Sequence, residues 1–126
     1  MKEKLTISLQ VYLEQIYLLQ QDNINVRVTD IANALSHTKP SVNRAINTLG
    51  EKGYLFHEHY GSIKLSEKGL KVAENIYDTN KVIKKFLLDF LGVEEETAVK
   101  EASQISYIIS KGTRKKLKKY MKKANK

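Results

Sequence analysis

Polar and basic side chains between positions 39 and 47 have the types and spacing best suited to contact with DNA. Asn43 and Arg44 can each form paired hydrogen bonds with base edges in the major groove, and we predict that they contact bases. Lys39 and Ser41 suit phosphate oxygens, which cations, hydroxyls and helix-start amides bind well. Asn47 lies one helical turn beyond Asn43 and is a further candidate for contact with DNA.

The elements around these residues predict a helix-turn-helix. The first helix of this motif is expected after Thr29, which can cap it, with Asp30 in its first turn. After a turn over residues 36–39, a second helix is expected at Pro40, whose missing amide hydrogen suits a first helical position. Two short helices joined by such a turn place the start of the second one in the major groove. Apolar residues recur at helical spacing in both: Ile31, Ala34, Leu35, Val42, Ala45, Ile46 and Leu49.

A predicted β-hairpin follows directly, with strands over residues 54–59 and 63–65 and a tight turn between them. A hairpin at this place makes the unit a winged helix. Tyr60 at its tip and Lys64 beside it are therefore candidates for contact with the phosphate backbone. The alternative is an ordinary helical bundle with a polar outer face, since two helices and a turn also occur in unrelated folds.

The remaining elements are predicted to be helices, which makes the chain mainly α with one small β-hairpin. The first helix is expected to begin at Ser8, and a long helix to run from Ser66 to Leu91 with a break near Asn80. Two further helices follow, the last of them capped by Ser110. We expect a winged helix-turn-helix domain over residues 1–66 and a helical domain with a basic last helix over residues 67–126.

The net charge of +8 is concentrated at one end of the chain. Residues 1–66 carry a net charge of +1 and residues 67–110 one of −2, whereas the last 16 residues carry nine Lys or Arg and no acid. This basic end could attract DNA phosphates regardless of sequence. It could also be a solvated helix that docks through Leu117 and Tyr120.

Composition and motifs exclude several classes of protein. The absence of Cys excludes disulfides and thiolate metal sites. No run of about 20 apolar residues could span a membrane, and no apolar signal segment begins the sequence, so we expect a cytoplasmic location. Without a phosphate-cradling glycine loop, an HExxH pair or a nucleophile elbow, we predict that the chain is not an enzyme. A module that dimerises without specific DNA binding is the alternative to a DNA-binding regulator.

The histidines have two interpretations each. His57 and His59 face one side of a predicted strand, where they could form a surface zinc or nickel site or could simply be solvated. His37 lies in the turn before the second helix, where it could touch a phosphate or could simply be exposed.

Several blocks of sequence, in the right order, resemble the diphtheria toxin repressor and manganese transport regulator family of metal-dependent repressors. The blocks are SLQVYLEQIY (8–17), VTDIA (28–32), KPSV (39–42), EKGY (51–54), LSEKG (65–69), FL (86–87) and LGV (91–93). The resemblance implies a homodimeric transcription repressor whose winged helix binds a palindromic operator. It also implies that the helical half dimerises and binds divalent manganese or iron. Ala98, Ala102, Ile105 and Ile109 would then belong to a dimerising helix, the alternative being that this stripe is intramolecular core.

Most of the metal-ligand positions that the resemblance implies hold other residue types. They fall on Val11, Glu14, Asn80, Ser103, Ser106 and Tyr107, of which only Glu14 is acidic. Because manganese and iron prefer several carboxylates or imidazoles, we predict a vestigial metal site and no cofactor. The hydroxyls and the amide could instead form a neutral hydrogen-bond network. The alternative is a metal-responsive repressor with a remodelled site.

Overall fold

A computed structural model of the chain describes residues 5–22, 25–58 and 61–124. Its elements are α1 (Ile7–Asp22), α2 (Val28–Leu35), α3 (Lys39–Glu51), β1 (Leu55–His57), β2 (Ile63–Leu65), α4 (Glu67–Lys85), a π-helical turn (Phe86–Phe90), α5 (Glu95–Ile108) and α6 (Lys111–Ala124). The predicted mainly α fold with one small hairpin is confirmed. The chain forms two compact units, residues 1–74 and 75–126, and the division between them lies within α4.

The core of the first unit is built from one face of each helix and from the inner sides of the strands. Its completely buried side chains include Leu13, Ile16, Ile31, Val42, Ile46, Leu49 and Ile63. In α3 the buried positions recur every three or four residues, and this spacing leaves the intervening polar side chains on the opposite face. The prediction for Ala34 is wrong: Ala34 is exposed, and Ala32 is buried in α2 instead.

Two helix starts differ from the prediction. Thr6 rather than Ser8 caps α1, because its Oγ1 accepts a hydrogen bond of 3.2 Å from the amide of Leu9. Arg27 rather than Thr29 precedes α2, and its amide donates to the Asp30 carboxylate at 2.9 Å. The shift in α2 has a tertiary cause: Val26 pairs with Ile63 of the hairpin, which keeps the chain extended up to the helix.

The predicted wing is present but shorter than expected. Leu55 lies opposite Leu65 and His57 opposite Ile63 in an antiparallel pair. The first strand ends at His57 instead of residue 59, because the amide of Glu58 already donates to the carbonyl of Ser62 at 2.8 Å to close the turn. The predicted tip residue Tyr60 lies outside the described residues.

The start of α4 packs closely against Gly53 and Tyr54, which lie between α3 and β1. Ser66 caps the helix as predicted: its Oγ accepts from the amide of Gly69 at 3.1 Å and donates to the carbonyl of Gly53 at 2.6 Å. A Cβ on Gly69 would overlap the carbonyl oxygen of Tyr54. Gly69 is therefore a close-contact position in a continuous helix.

In the second unit, α4 continues past Asn80 without the predicted break and ends at Lys85. The helical irregularity occurs later, as the π-helical turn, and Gly92 with φ 66° terminates the segment. The core of this unit contains Ile83, Leu87, Ala98 and Ala102, with partly buried residues of α5 and α6 around them.

The last helix begins as the sequence predicted. Ser110 Oγ accepts from the amide of Thr113 at 3.2 Å and caps α6. Leu117 is half-buried and Met121, which was not predicted to dock, is buried, whereas Tyr120 is 54% exposed with its ring centroid 5.9 Å from that of Phe90. Within the described ranges, none of the helices combines the length and the apolar character needed to cross a membrane.

Candidate nucleic-acid interface

The outer face of α3 carries the side chains that are predicted from the sequence to contact DNA. Lys39, Asn43, Arg44 and Asn47 are exposed, and Ser41 is half-buried at the edge of the same face. Because the inner face is completely occupied by core packing, this outer face is the surface that α3 offers to a partner. A helix with its polar N-terminal half exposed can enter the major groove and reach base edges.

Hydrogen bonds arrange the first turns of this face. Thr38 Oγ1 accepts from the amide of Ser41 at 3.3 Å and donates to the Ser41 hydroxyl at 2.9 Å. The same hydroxyl accepts from Arg44 Nη2 at 3.2 Å. Thr38, expected in the turn before the helix, is thus the N-cap of α3 and the first member of a polar chain that ends at Arg44. Its position before Lys39-Pro40 was the available sequence signal.

A shallow groove runs beside α3, between its first turns and the start of α1. Its lining consists of Thr6, Ser8, Leu9, Tyr12, Ser36, His37, Thr38, Ser41, Arg44, Ala45 and Thr48. Across it, the Tyr12 hydroxyl lies 2.7 Å from Nδ1 of His37, with the two rings in a T-shaped arrangement. Burial raises the pKa of the Tyr12 hydroxyl, and the nearby Arg44 cation partly opposes that rise. His37 is therefore exposed, as one interpretation held, but it is also tied to α1.

The wing offers two cations. Lys64 is exposed on β2, as expected for contact with the backbone of DNA. Arg27, which sequence reasoning missed, places its guanidinium 3.5 Å from the position that a Cβ on Gly61 would occupy, beside the hairpin turn. His57 is exposed on β1, and His59 lies outside the described residues together with Tyr60.

The positions implied for metal ligands do not assemble suitable donors. Glu14 is buried in the first unit. In the second unit, Ser106 is buried and its hydroxyl donates to the backbone carbonyl of Ser103 at 2.6 Å, while Asn80 and Tyr107 are half-buried. In the part of the chain that the structure describes, no group of three His, Asp or Glu residues could hold a metal ion. These donors therefore do not fit manganese or iron, which prefer several anionic oxygens or imidazoles.

The four residues predicted to lie on a dimerising helix, Ala98, Ala102, Ile105 and Ile109, fall into two groups that differ in burial. Ala98 and Ala102 are fully buried against their own chain's core, which agrees with the alternative of intramolecular packing. Ile105 and Ile109 are half-buried. The apolar surface that α5 leaves exposed is carried instead by Val99, 46% exposed, and Ile108, 59% exposed.

Comparison with known protein families accounts for both halves of the chain. Residues 4–63 match the family profile described as iron-dependent repressor, N-terminal DNA-binding domain. Residues 66–126 match that of the iron-dependent repressor metal-binding and dimerisation domain. The chain belongs to the iron-dependent repressor family.

Two relatives are similar to this chain over most of its length. A helix-turn-helix-type transcriptional regulator of Methanocaldococcus jannaschii, described as uncharacterized, is 37% identical over 117 residues, which cover 92% of this chain and 94% of the relative. The helix-turn-helix-type transcriptional regulator MntR of Lysinibacillus sphaericus is 34% identical over 105 residues, which cover 83% of this chain and 75% of the relative.

Solved structures show the same fold. The metal-dependent transcriptional regulator MtsR superposes with a TM-score of 0.84 at 21% identity, over 94% of this chain but only 55% of its own. A hypothetical protein of Sulfolobus solfataricus superposes with a TM-score of 0.75 at 23% identity, over 94% of this chain and 91% of its own.

Membership of the iron-dependent repressor family confirms the main functional prediction. The chain is a DNA-binding transcription regulator of the winged helix-turn-helix type, with a second domain of the dimerising kind. The family is one of transcription regulators rather than of enzymes.

Proposed function

We propose that the chain binds a palindromic operator as a homodimer, with α3 of each copy in the major groove. The observation that carries this proposal is the exposed polar face of α3, on which Ser41 holds the Arg44 guanidinium. Arg44 and Asn43 contact base edges, since each can form two hydrogen bonds with one base. Asn47 extends the same face by one turn.

The contacts that set the position of the dimer on DNA are made to phosphates. Lys39 and Ser41 stand at the start of α3, where the helix dipole and the amide groups also favour an anion. Lys64 and Arg27 supply two cations at the wing. Contacts of this kind fix register and orientation, whereas base contacts determine which sequence is bound.

The homodimer forms through the second unit. Ile105 and Ile109 are part of its contact surface, together with the exposed Val99 and Ile108. Apolar side chains of this size lose accessible surface on association, which is the main source of stability in most dimers.

We infer that no manganese or iron ion controls DNA binding by this chain. The profile that matches the second unit is that of a metal-binding domain, yet the equivalent positions carry hydroxyl and amide groups. The site is vestigial, so DNA binding is constitutive or responds to a signal other than manganese or iron.

The proposal is tested by fluorescence anisotropy with a labelled duplex from upstream of the chain's own gene. A random duplex of equal length measures non-specific affinity. Arg44→Ala should remove most of the preference for the upstream duplex, because a bidentate base contact provides about 1–3 kcal/mol of discrimination. Lys71→Ala, at an exposed position of α4, is the matched control. Equal affinity of the wild type for both duplexes, or an unaffected Arg44→Ala variant, would contradict the proposal.

A further inference from the structure

The hydrogen bond between Tyr12 and His37 joins a buried side chain to an exposed one. Tyr12 is only 3% exposed and its ring is held in the core of the first unit. His37 is exposed in the turn between α2 and α3, and its Nδ1 lies 2.7 Å from the Tyr12 hydroxyl. A fixed anchor therefore holds an imidazole that solvent can reach.

This hydrogen bond determines what the imidazole can offer to a partner. Since Tyr12 occupies Nδ1, Nε2 is the ring nitrogen that remains for an external group. When the Tyr12 hydroxyl donates to Nδ1, neutral His37 carries its hydrogen on Nε2. When His37 is protonated, both ring nitrogens are donors and Tyr12 accepts instead. In both of these arrangements Nε2 is a hydrogen-bond donor, whereas in the neutral tautomer with its hydrogen on Nδ1 it is an acceptor.

The backbone before α3 keeps His37 in place. Ser36 adopts a left-handed conformation with φ 56° at the end of α2, and the amide of His37 donates to the carbonyl of Ala32 at 3.0 Å. The turn is thus closed from both sides, by a backbone hydrogen bond to α2 and by a side-chain hydrogen bond to α1. A residue held in this way loses little conformational entropy when it binds a ligand.

The groove around His37 suits an anion. The hydroxyls of Thr6, Ser8 and Ser41 line it, and Arg44 provides a cation. The helices α1 and α3 both begin at this groove, so the positive ends of two helix dipoles lie beside it. Among the described residues that line the groove, none is acidic.

We propose that the groove binds one phosphate of the DNA backbone and that Tyr12 positions His37 to donate its Nε2 hydrogen to that phosphate. The inference rests on the proposed function, because it requires α3 to lie against DNA. The groove borders the face of α3 that carries Arg44, so a duplex in contact with Arg44 passes its backbone beside the groove. Tyr12 acts through His37 and is a positioning residue.

The contact makes DNA affinity depend on pH, and the sign of that dependence follows from the charge of the phosphate. The groups that face the imidazole are Tyr12 from α1 and Arg44 from α3. Burial keeps Tyr12 neutral, since it raises the pKa of that hydroxyl. A protonated imidazole donates a charge-assisted hydrogen bond to a phosphate, so affinity should increase as the pH falls.

The test measures affinity by fluorescence anisotropy for the upstream duplex and for a random duplex, between about pH 5.5 and pH 8, the range in which His changes charge. The wild type should bind both duplexes about tenfold more tightly at the acidic end, the effect of one charge-assisted hydrogen bond. His37→Gln should lower affinity for both duplexes by the same factor and remove most of this pH dependence. A phosphate contact carries no sequence information, so the ratio of the two affinities should not change.

Tyr12→Phe tests the positioning role, because it keeps the ring and removes only the hydroxyl. It should weaken binding by about threefold, and the double variant should bind no more weakly than His37→Gln, as expected for coupled residues. Tyr17→Phe makes the same chemical change on α1 outside the groove and should leave affinity unchanged. Circular dichroism confirms that each variant is folded, and if Tyr12→Phe is not, the exposed His37→Gln carries the test alone.

The possible failures can be told apart. If the wild type does not prefer the upstream duplex, the proposed function fails. If it does, but His37→Gln keeps the wild-type affinity and pH profile, the phosphate contact is overturned. Additive effects of the two substitutions would overturn the positioning role of Tyr12.

Discussion

Arg44 Nη2 lies 3.2 Å from the hydroxyl of Ser41, one turn earlier on the same face of α3. This hydrogen bond draws the guanidinium towards the start of the helix, where the polar chain begins at Thr38. A guanidinium has five N–H donors, so Arg44 can keep this bond and still contact a base. Ser41 therefore has a second role beside the phosphate contact predicted from its type: it orients Arg44 before DNA is bound.

Ser41→Ala should weaken binding to the upstream duplex by about tenfold, the effect of losing one hydrogen bond to a charged group. The decisive comparison uses a background that lacks the guanidinium. In Arg44→Ala, the further change of Ser41 to Ala should have a clearly smaller effect, because the partner that it orients is absent. Anisotropy titrations of the four proteins measure this coupling. An unchanged effect would assign Ser41 to phosphate contact alone.

Lys39 and Asn43 should differ in the kind of affinity that they provide. Lys39→Ala is expected to weaken binding to upstream and random duplexes equally and to reduce the salt dependence of binding by about one unit of slope, as for one phosphate contact. Asn43→Ala is expected to cost about 1–3 kcal/mol on the upstream duplex alone, as for one base contact. Titrations at four salt concentrations separate the two. A sequence-independent effect of Asn43→Ala would count against base contact.

The polar outer face of α3 could be predicted because the residues that define it are close together in sequence. Apolar residues in α3 recur with helical periodicity, and a single face then remains for Asn43, Arg44 and Asn47. The hairpin was predictable for the same reason, since alternation and a turn define it within a dozen residues. The metal-ligand positions could be assigned only from the family resemblance, because serine side chains such as those of Ser103 and Ser106 do not by themselves indicate a metal site.

Features that depend on residues far apart in sequence were not predictable. Tyr12 and His37 are 25 positions apart, and their hydrogen bond exists only once α1 and α2 have packed. The burial of Ala98 in the core of the second unit likewise depends on the packing of α5 against other elements, so its periodicity could not distinguish an intramolecular contact from a dimer contact. Asn80 suggested a break by its propensity, but tertiary packing overrides a preference of a few tenths of a kcal/mol, about the size of this effect.

Gly69→Ala should destabilise the protein although alanine favours helices. A Cβ at this position would overlap the carbonyl oxygen of Tyr54, and relieving that contact should cost about 3 kcal/mol, more than the gain of about 1 kcal/mol in helix propensity. Gly112→Ala is the matched control, since Gly112 is also helical and a Cβ there meets no neighbouring atom. It should stabilise the protein by about 0.5–1 kcal/mol. Urea unfolding measures both, and a stabilising Gly69→Ala would disprove the close packing.

Manganese, iron(II) and zinc should not change DNA affinity. The positions equivalent to metal ligands carry one carboxylate, Glu14, one apolar side chain, Val11, and otherwise hydroxyl and amide groups, which bind divalent ions weakly. Anisotropy titrations with added metal and with a chelator should give the same dissociation constant. Isothermal titration calorimetry provides the direct measurement. A binding constant in the low micromolar range or tighter, for any of the three ions, would overturn the vestigial site and favour a remodelled one.

The basic face of α6 should add phosphate attraction that is independent of sequence. The helix carries Lys or Arg on the side opposite Leu117 and Met121 and has no acid among residues 111–124, so its cations are not neutralised within the helix. Replacing Lys115, Lys119 and Lys122 together by Gln should therefore reduce the slope of log affinity against log salt by about 2.7, since each of the three phosphate contacts contributes about 0.9.

The control for α6 changes the same number of charges elsewhere. Lys71, Lys85 and Lys100 are exposed on α4 and α5, and their replacement by Gln lowers the net charge equally. A long-range effect of net charge would change the slope in both triple variants, whereas contact through α6 would change it only in the first. The ratio of upstream to random affinity should stay constant, because these lysines meet phosphates and not bases. If the slope is unchanged in the α6 variant, the helix is a solvated face whose lysines take no part in DNA binding.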